Sequence, residues 1–233
     1  MPDFPNRSYQ KELLDSDNIP FEDIKRNMQE LEFINKYLGG HKITLDGVKH
    51  LLNTNKPISQ LTIAEIGCGG GDNLKAIYNW CKHKRIVISF IGIDINADCI
   101  SYAKENCCKL NAEFVVSDYK LVDFKIRPDI IFSSLFCHHF TNEELIKQLK
   151  WMKENSSLGF FINDLHRHPL AYYSIKWLTK IFSKSYLVKN DAPLSVLRGF
   201  KKEEIKSLIN LSTCKMVNLN WKWAFRWLII VEQ

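Results

Sequence analysis

The sequence predicts an α/β domain, a mostly parallel sheet with helices on both faces. Three observations predict it. Between Leu61 and Ile162, short apolar runs alternate with amphipathic segments, as a succession of βαβ units requires. The runs are nearly continuous in apolar residues, the pattern of strands covered on both faces. The first run ends in a glycine-rich turn that opens an amphipathic segment, the kind of strand-to-helix connection such units use.

Taken in order, residues 20–40 place Phe21, Ile24, Met28, Leu31, Ile34 and Leu38 at helical spacing, with Gly39-Gly40 as a stop signal. A second short helix carries Leu45, Val48, Leu51 and Leu52 and leads into a loop from Asn53 to Pro57. The alternating region then reads LTIAEIG, a helix over 72–83, IVISFIGID, a helix over 97–109, AEFVVSD, DIIFSSLF, a helix over 142–154 and LGFFIND. Residues 164–200 break this rhythm and are expected to form a cap inserted over the carboxyl edge of the sheet. A helix near 201–210 and strands at 214–219 and 224–231 close the chain. The expected organisation is an N-terminal helical extension over 1–58 and one domain over 59–233.

Composition narrows the function classes. Of 233 residues, 45% are apolar and 25% charged, which excludes disorder, collagen-like sequence and coiled coil. The longest apolar runs, such as Trp227–Val231, fall far short of the roughly 18 residues a membrane span needs. The N-terminus MPDFPNRSYQ has two prolines and an early acid and does not read as a secretory signal, so a cytoplasmic protein is expected. Its 7 cysteines include an adjacent pair and form no C-x-x-C, so reduced and mostly buried thiols are expected rather than disulfides or zinc. The net charge of +6 comes from basic residues scattered along the chain, and no nucleic-acid partner is expected.

The stretch that carries function is Ile63-Ala64-Glu65-Ile66-Gly67-Cys68-Gly69-Gly70-Gly71-Asp72. Its turn lets a ligand approach the backbone closely. A dinucleotide fingerprint would want Gly or Ala where Asp72 stands, and a carboxylate there repels a pyrophosphate. No Gly-Lys-Ser/Thr follows, so the phosphate-loop pattern fails as well. The loop favours a cationic ligand without phosphates. Asp94 ends the second strand, where an acid accepts from ribose hydroxyls, and Asp118 follows the third, where one can accept from an adenine amine. Cys68 within the turn, and Ile95 and Tyr119 beside the two acids, complete the expected site, an adenosine site that fits S-adenosylmethionine. Singly, each aspartate can also be read as a helix cap.

The sequence Glu65-x-Gly67-x-Gly69-x-Gly71 resembles the first motif of the class I S-adenosylmethionine-dependent methyltransferases. The resemblance covers roughly residues 60–165, and the last strands fit that family's seven-stranded, Rossmann-like sheet. It implies that Glu65 and the glycines hold the methionine end of the cofactor, Asp94 the ribose and Asp118 the adenine, with S-adenosylhomocysteine as product. The segments Asn163–Arg167 and Asp191–Arg198 are similar to a bacterial subgroup of small-molecule methyltransferases.

The fourth strand ends Ser133-Ser134-Leu135-Phe136-Cys137-His138-His139-Phe140, and this end should face the sulfonium. It lacks the acid- or Asn-Pro-Pro-aromatic step of base-amine methylation, and Cys137 does not follow a proline and reads as an apolar filler. His138 and His139 are the catalytic candidates, because a neutral imidazole near pH 7 can take the proton of a phenol or enol, which favours O-methylation. The competing reading makes them a helix cap. Asp164, His166 and His168 alternate, but such clusters are mostly hydrogen-bonded loop residues and no metal is expected. In the cap, Tyr172, Tyr173 and Trp177 offer flat walls or ordinary core, and His166, Arg167 and Arg198 are the polar acceptor-binding candidates. The expected acceptor is small and aromatic or apolar. Two alternatives stand beside it: a prenylated quinone or lipid acceptor reached by peripheral contact with a membrane surface, and a catalytically inactive cofactor-binding module.

Overall fold

The computed structural model describes residues 2–16, 19–53, 59–82, 84 and 86–233. Two N-terminal helices, α1 (Phe21–Tyr37) and α2 (Gly40–Asn53), precede the alternating region. There β1 (Gln60–Ile66), α3 (Asp72–Cys81), β2 (Val87–Asp94), α4 (Ala97–Asn106), β3 (Ala112–Val116), β4 (Ile130–Ser134), α5 (Asn142–Asn155) and β5 (Gly159–Leu165) follow in turn. The cap is α6 (Pro169–Phe182) and α7 (Tyr186–Arg198), and α8 (Lys202–Leu211), β6 (Met216–Lys222) and β7 (Arg226–Glu232) complete the chain.

The seven strands form one sheet in the order β3-β2-β1-β4-β5-β7-β6. Strands β1 to β5 pair in parallel, and β7 runs antiparallel to both β5 and β6. The order reverses direction between β1 and β4, and in open α/β sheets ligands bind outside the carboxyl ends of the strands at such a point. One apolar cluster, with Ile131, Phe160, Leu149 and Ile205, lies under α5 and α8. The other, with Ile63, Phe132, Phe161 and Leu74, lies under α2 and α3. Both faces of the central strands are therefore dry, which is why their sequences are nearly continuous in apolar residues.

The structure shifts several expected boundaries. Gly39, at φ +83, follows the Leu38 cap of α1, but Gly40 already opens α2, and the two helices approach so closely that a Cβ on Gly40 would stand 2.5 Å from the Asn35 side chain. The N-terminal extension is built into the core: Ile43, Val48 and Leu51 of α2 pack with β1, β4 and β5. Asn53 is the last residue of α2, and the rest of the expected Asn53–Pro57 loop lies outside the described residues. The last two strands begin two residues later than expected, since the Cys214 backbone N–H is held by the Ser212 hydroxyl in the turn after α8. All seven cysteines are free, and only Cys108 is exposed. Among the described residues no helix is long and apolar enough to cross a membrane.

Candidate active site

The glycine turn connects β1 to α3 and takes its shape from backbone that only glycine adopts without strain. Gly67 has φ +66, and a Cβ on it would stand 2.2 Å from the Phe136 ring. Gly71 has φ +73, and a Cβ there would meet the Cys107 sulfur at 2.7 Å. Asp94 ties this turn to the end of β2: its carboxylate accepts the Gly69 N–H and the Asn96 N–H, both at 2.9 Å. Burial raises its pKa in spite of these hydrogen bonds. Ile95 next to it is 75% exposed, a bare apolar surface at the rim. Below the turn, Glu65 is buried, accepts from the Asn73 amide at 2.9 Å and leaves its second oxygen without a partner. Burial pushes its carboxyl well up. An orphan carboxyl oxygen under the turn and an aspartate held at its edge fit a cationic nucleoside cofactor.

The other two expected cofactor residues are placed differently. Asp118 caps the short turn Tyr119–Leu121, its Oδ1 accepting the Lys120 N–H at 3.1 Å. Tyr119 lies inside the core, its ring against Phe136, Phe140 and Trp151. Asp72 begins α3 and pairs with His41 at 2.7 Å and Asn35 at 2.9 Å. Burial works against its charge, but these partners outweigh it and hold the carboxyl below its usual range.

Beside this half of the site, β4 ends in a sharp turn. Leu135 has φ +54, a left-handed conformation that costs a non-glycine residue of order 1–3 kcal/mol and clusters at functional sites. Its N–H donates to the Asn163 carbonyl at 2.9 Å. The turn delivers His138 and His139 to the floor of a cavity of about 390 Å³. Asp164 at the end of β5 is fully buried and accepts from His138 twice, from Nδ1 at 2.7 Å and from the backbone N–H at 3.1 Å. On the other side, Glu12 lies 3.4 Å from His138 Nε2, within ion-pair range though not aligned for a hydrogen bond. Burial opposes a charge on His138, but the two flanking carboxylates prevail and raise its pKa to about 9. The two carboxylates thus favour the protonated form of His138, against the neutral imidazole expected from the sequence. His139 is more open, with Asp15 at 3.3 Å and Glu12 at 3.7 Å. Glu12, His138 and His139 bring one ligand atom each within 4.8 Å of one another, the only set of His, Cys, Asp and Glu among the described residues placed to hold a metal ion.

The walls of the cavity are apolar: Leu31 and Ile34 of α1, Ala171, Ile175 and Leu178 of α6, and Val188 and Val196 of α7. The cap thus covers this cavity, with side chains other than those singled out from the sequence. Tyr173 and Trp177 face outward, and Tyr172 packs against Phe4. Arg167 does not line the cavity: it is buried and donates to the Phe4, Pro5 and Gly199 carbonyls while pairing with Glu204. Arg198 likewise holds the backbone, donating to the His138 carbonyl at 3.2 Å and the His139 carbonyl at 2.9 Å. Every nitrogen of both guanidinium groups has a partner, so they frame the site rather than line it. His166 accepts from the Trp221 indole, and burial lowers its pKa to about 4, while His168 caps α6. Asp164 therefore joins neither histidine.

Sequence reasoning missed Glu12 and Asp15, which sit on the short turn Leu13–Asp15. Asp191 of α7 holds that turn by accepting the Leu13 and Leu14 N–H groups at 2.8 and 3.0 Å. No local pattern marks these acids. It also missed Arg226, at the start of β7, which is 3% exposed and lines the cavity.

Residues 63–155 match a family model described as a methyltransferase domain. Among solved structures, the plantazolicin methyltransferase BpumL in complex with S-adenosylhomocysteine is 18% identical, with 89% of this chain and 95% of that one covered and a TM-score of 0.62. A S-adenosylmethionine-dependent methyltransferase from Aquifex aeolicus is 14% identical over 92% of this chain and 99% of its own, with a TM-score of 0.61. Magnesium protoporphyrin IX methyltransferase from Synechocystis, with S-adenosylhomocysteine bound, is 13% identical over 86% and 87%, with a TM-score of 0.59. At these identities the likeness is one of fold. No curated protein matches the chain. Sheet order, glycine turn and matched domain together define a class I methyltransferase fold. The methyltransferase-domain match spans residues 63–155, the part of the chain that carries the glycine turn, Asp94 and Asp118.

Proposed function

We propose that this chain methylates an oxygen of a small, aromatic or otherwise apolar acceptor. The observation that carries the proposal is the apolar cavity of about 390 Å³, roofed by the cap and floored by the His138–His139 turn at the end of β4. That volume suits a small molecule. Bound S-adenosylmethionine supplies an electrophilic methyl group on a cationic sulfur. Glu65, Gly67, Gly69, Gly71, Asp94, Ile95 and Asp118 bind and orient it along the β1–β3 edge. His139 takes the acceptor proton, and Asp15 steadies the imidazolium that results. His138, already protonated between Asp164 and Glu12, fixes the position of His139, whose ring lies 4.4 Å from its own. In-line transfer gains most of its rate from such positioning and less from the base. Incubation with isotope-labelled S-adenosylmethionine and cell extract, followed by identification of the labelled product, tests the acceptor class. A product labelled on nitrogen, or on a macromolecule, would refute it.

A second reading has an observation of its own. Leu170, Tyr173, Trp177 and Ile181 form one stripe along α6, each between 52% and 63% exposed, with exposed Lys176 and Lys180 beside it. Such a face suits an anionic membrane surface, and with it an acceptor taken from the bilayer. Co-sedimentation with phosphatidylglycerol vesicles that Trp177→Glu abolishes would favour this reading; no sedimentation would end it.

A further inference from the structure

Arg226 is the one arginine bordering the cavity whose guanidinium is incompletely matched. Its Nη2 donates to Asn35 Oδ1 at 2.9 Å, whereas its Nη1 is buried and has no hydrogen-bond partner. No carboxylate lies within ion-pair distance of it among the described residues. Arg167 and Arg198, by contrast, are saturated by backbone carbonyls.

Asp164 and Asp72 act on it only through space, and a buried cation with an unpartnered donor is costly, since its lost hydration is not replaced. Folded proteins retain such a group where a ligand completes it. The place of Arg226 in the fold says which ligand. It opens β7, opposite Leu165 at the carboxyl end of β5, on the acceptor side of the sheet. The cavity it lines draws on the cap and on α1, and none of the glycine-turn residues or Asp94 is among its walls. The remaining walls are mostly apolar, and their charged groups are already engaged: Glu12 by His138 and Ser195, Asp191 by the Leu13 and Leu14 N–H groups, and His138 by Asp164. An anion entering here would find the open donor of Arg226 in a site of low dielectric, where a charge-assisted bond is strong.

We infer that Arg226 receives an anionic oxygen group of the acceptor, most simply a carboxylate, so that the acceptor is an apolar body bearing one anionic end. This deepens the proposed function and rests on its assignment of the cavity. The cofactor's own carboxylate is the other possible source of the same chemistry, and the experiment separates the two.

The test uses a matched pair of probes, indole-3-acetate and indole-3-acetamide, with binding followed by ligand-observed NMR in the presence of S-adenosylhomocysteine. The wild-type protein should prefer the carboxylate by about ten- to hundredfold, as a hydrogen bond to a charged group implies. Arg226→Met should erase that preference while the amide still binds. Arg226→Lys, which keeps the charge and serves if the Met variant does not fold, should retain most of the preference. Calorimetry with S-adenosylhomocysteine and with 5′-methylthioadenosine, which lacks the amino-acid end, should give affinities unchanged by either substitution. A variant that loses affinity for S-adenosylhomocysteine alone, with the carboxylate preference intact, would assign Arg226 to the cofactor and overturn the inference. Equal binding of acid and amide to the wild type would also overturn it. If neither probe binds, the cavity assignment falls and this inference with it, while an intact S-adenosylhomocysteine affinity would show that the cofactor site stands.

Discussion

The two halves of the site are built in opposite ways. On the proposed cofactor side, residues stand at strand ends and their partners lie on the same or the neighbouring strand end: Asp94 holds Asn96 two residues on and the glycine turn of the neighbouring strand. On the acceptor side, Glu12, His138, Asp164, Arg198 and Arg226 come from five separate stretches and meet only after folding. The first half depends on strand ends that the sheet fixes. The second depends on buried charges that stabilise one another, and substitutions should separate the two.

The largest effect is expected from Asp164→Ala. It strips a fully buried imidazolium of its nearest counter-charge, a change that costs about 3–5 kcal/mol, and denaturant unfolding should show a loss of that size. S-adenosylhomocysteine should still bind the folded fraction. A loss below about 1 kcal/mol would mean that the acceptor half is not held by this pair.

The same pair should make stability depend on pH. His138 has a folded pKa of about 9, above the ordinary 6.5, so the folded state binds this proton more tightly than the unfolded one. Its stabilisation is complete below pH 6.5 and is lost as the pH rises through 9. Unfolding midpoints measured from pH 6 to pH 10 should fall across this window, and His138→Gln should flatten the fall. A midpoint that rises over that range would contradict the charged dyad.

Asp94→Ala should act on the other half alone. With Asp94 as the proposed ribose acceptor, its removal should weaken S-adenosylhomocysteine binding by about 1.5–3 kcal/mol, with unfolding less affected than in Asp164→Ala. Unchanged affinity in calorimetry would remove the ribose assignment. Asp118→Asn should have the smallest effect, about 0.5–1.5 kcal/mol on the same binding, because the amide oxygen can still cap the turn that Asp118 caps. An effect larger than that of Asp94→Ala would reverse the order of the two acids.

The difference between the halves is also a difference in legibility. Strand and helix positions were readable because apolar periodicity reports burial directly. The glycine turn was readable because positive φ at Gly67, Gly69 and Gly71 restricts the residue type. Arg167 and Arg198 were misplaced for the same reason that Arg226 was overlooked: an arginine's role depends on which carbonyls and carboxylates surround it, and nothing in its immediate sequence records that. Tyr173 and Trp177 show the limit again, since helical spacing put them on a helix but not on the side of it that faces the cavity.

By itself, the sequence determined the α/β architecture and the strand ends that carry the glycine turn and Asp94. These follow from local backbone geometry and from alternation of apolar and polar residues, both of which are written in neighbouring positions. The tertiary structure alone decided that His138 lies between two carboxylates, that Glu12 reaches it from the N-terminal turn, and that Arg226 rather than Arg167 or Arg198 is left with an unpartnered donor beside the cavity. Burial and electrostatics act through space, and their strength is set by the distance to groups from other elements, which no stretch of sequence contains.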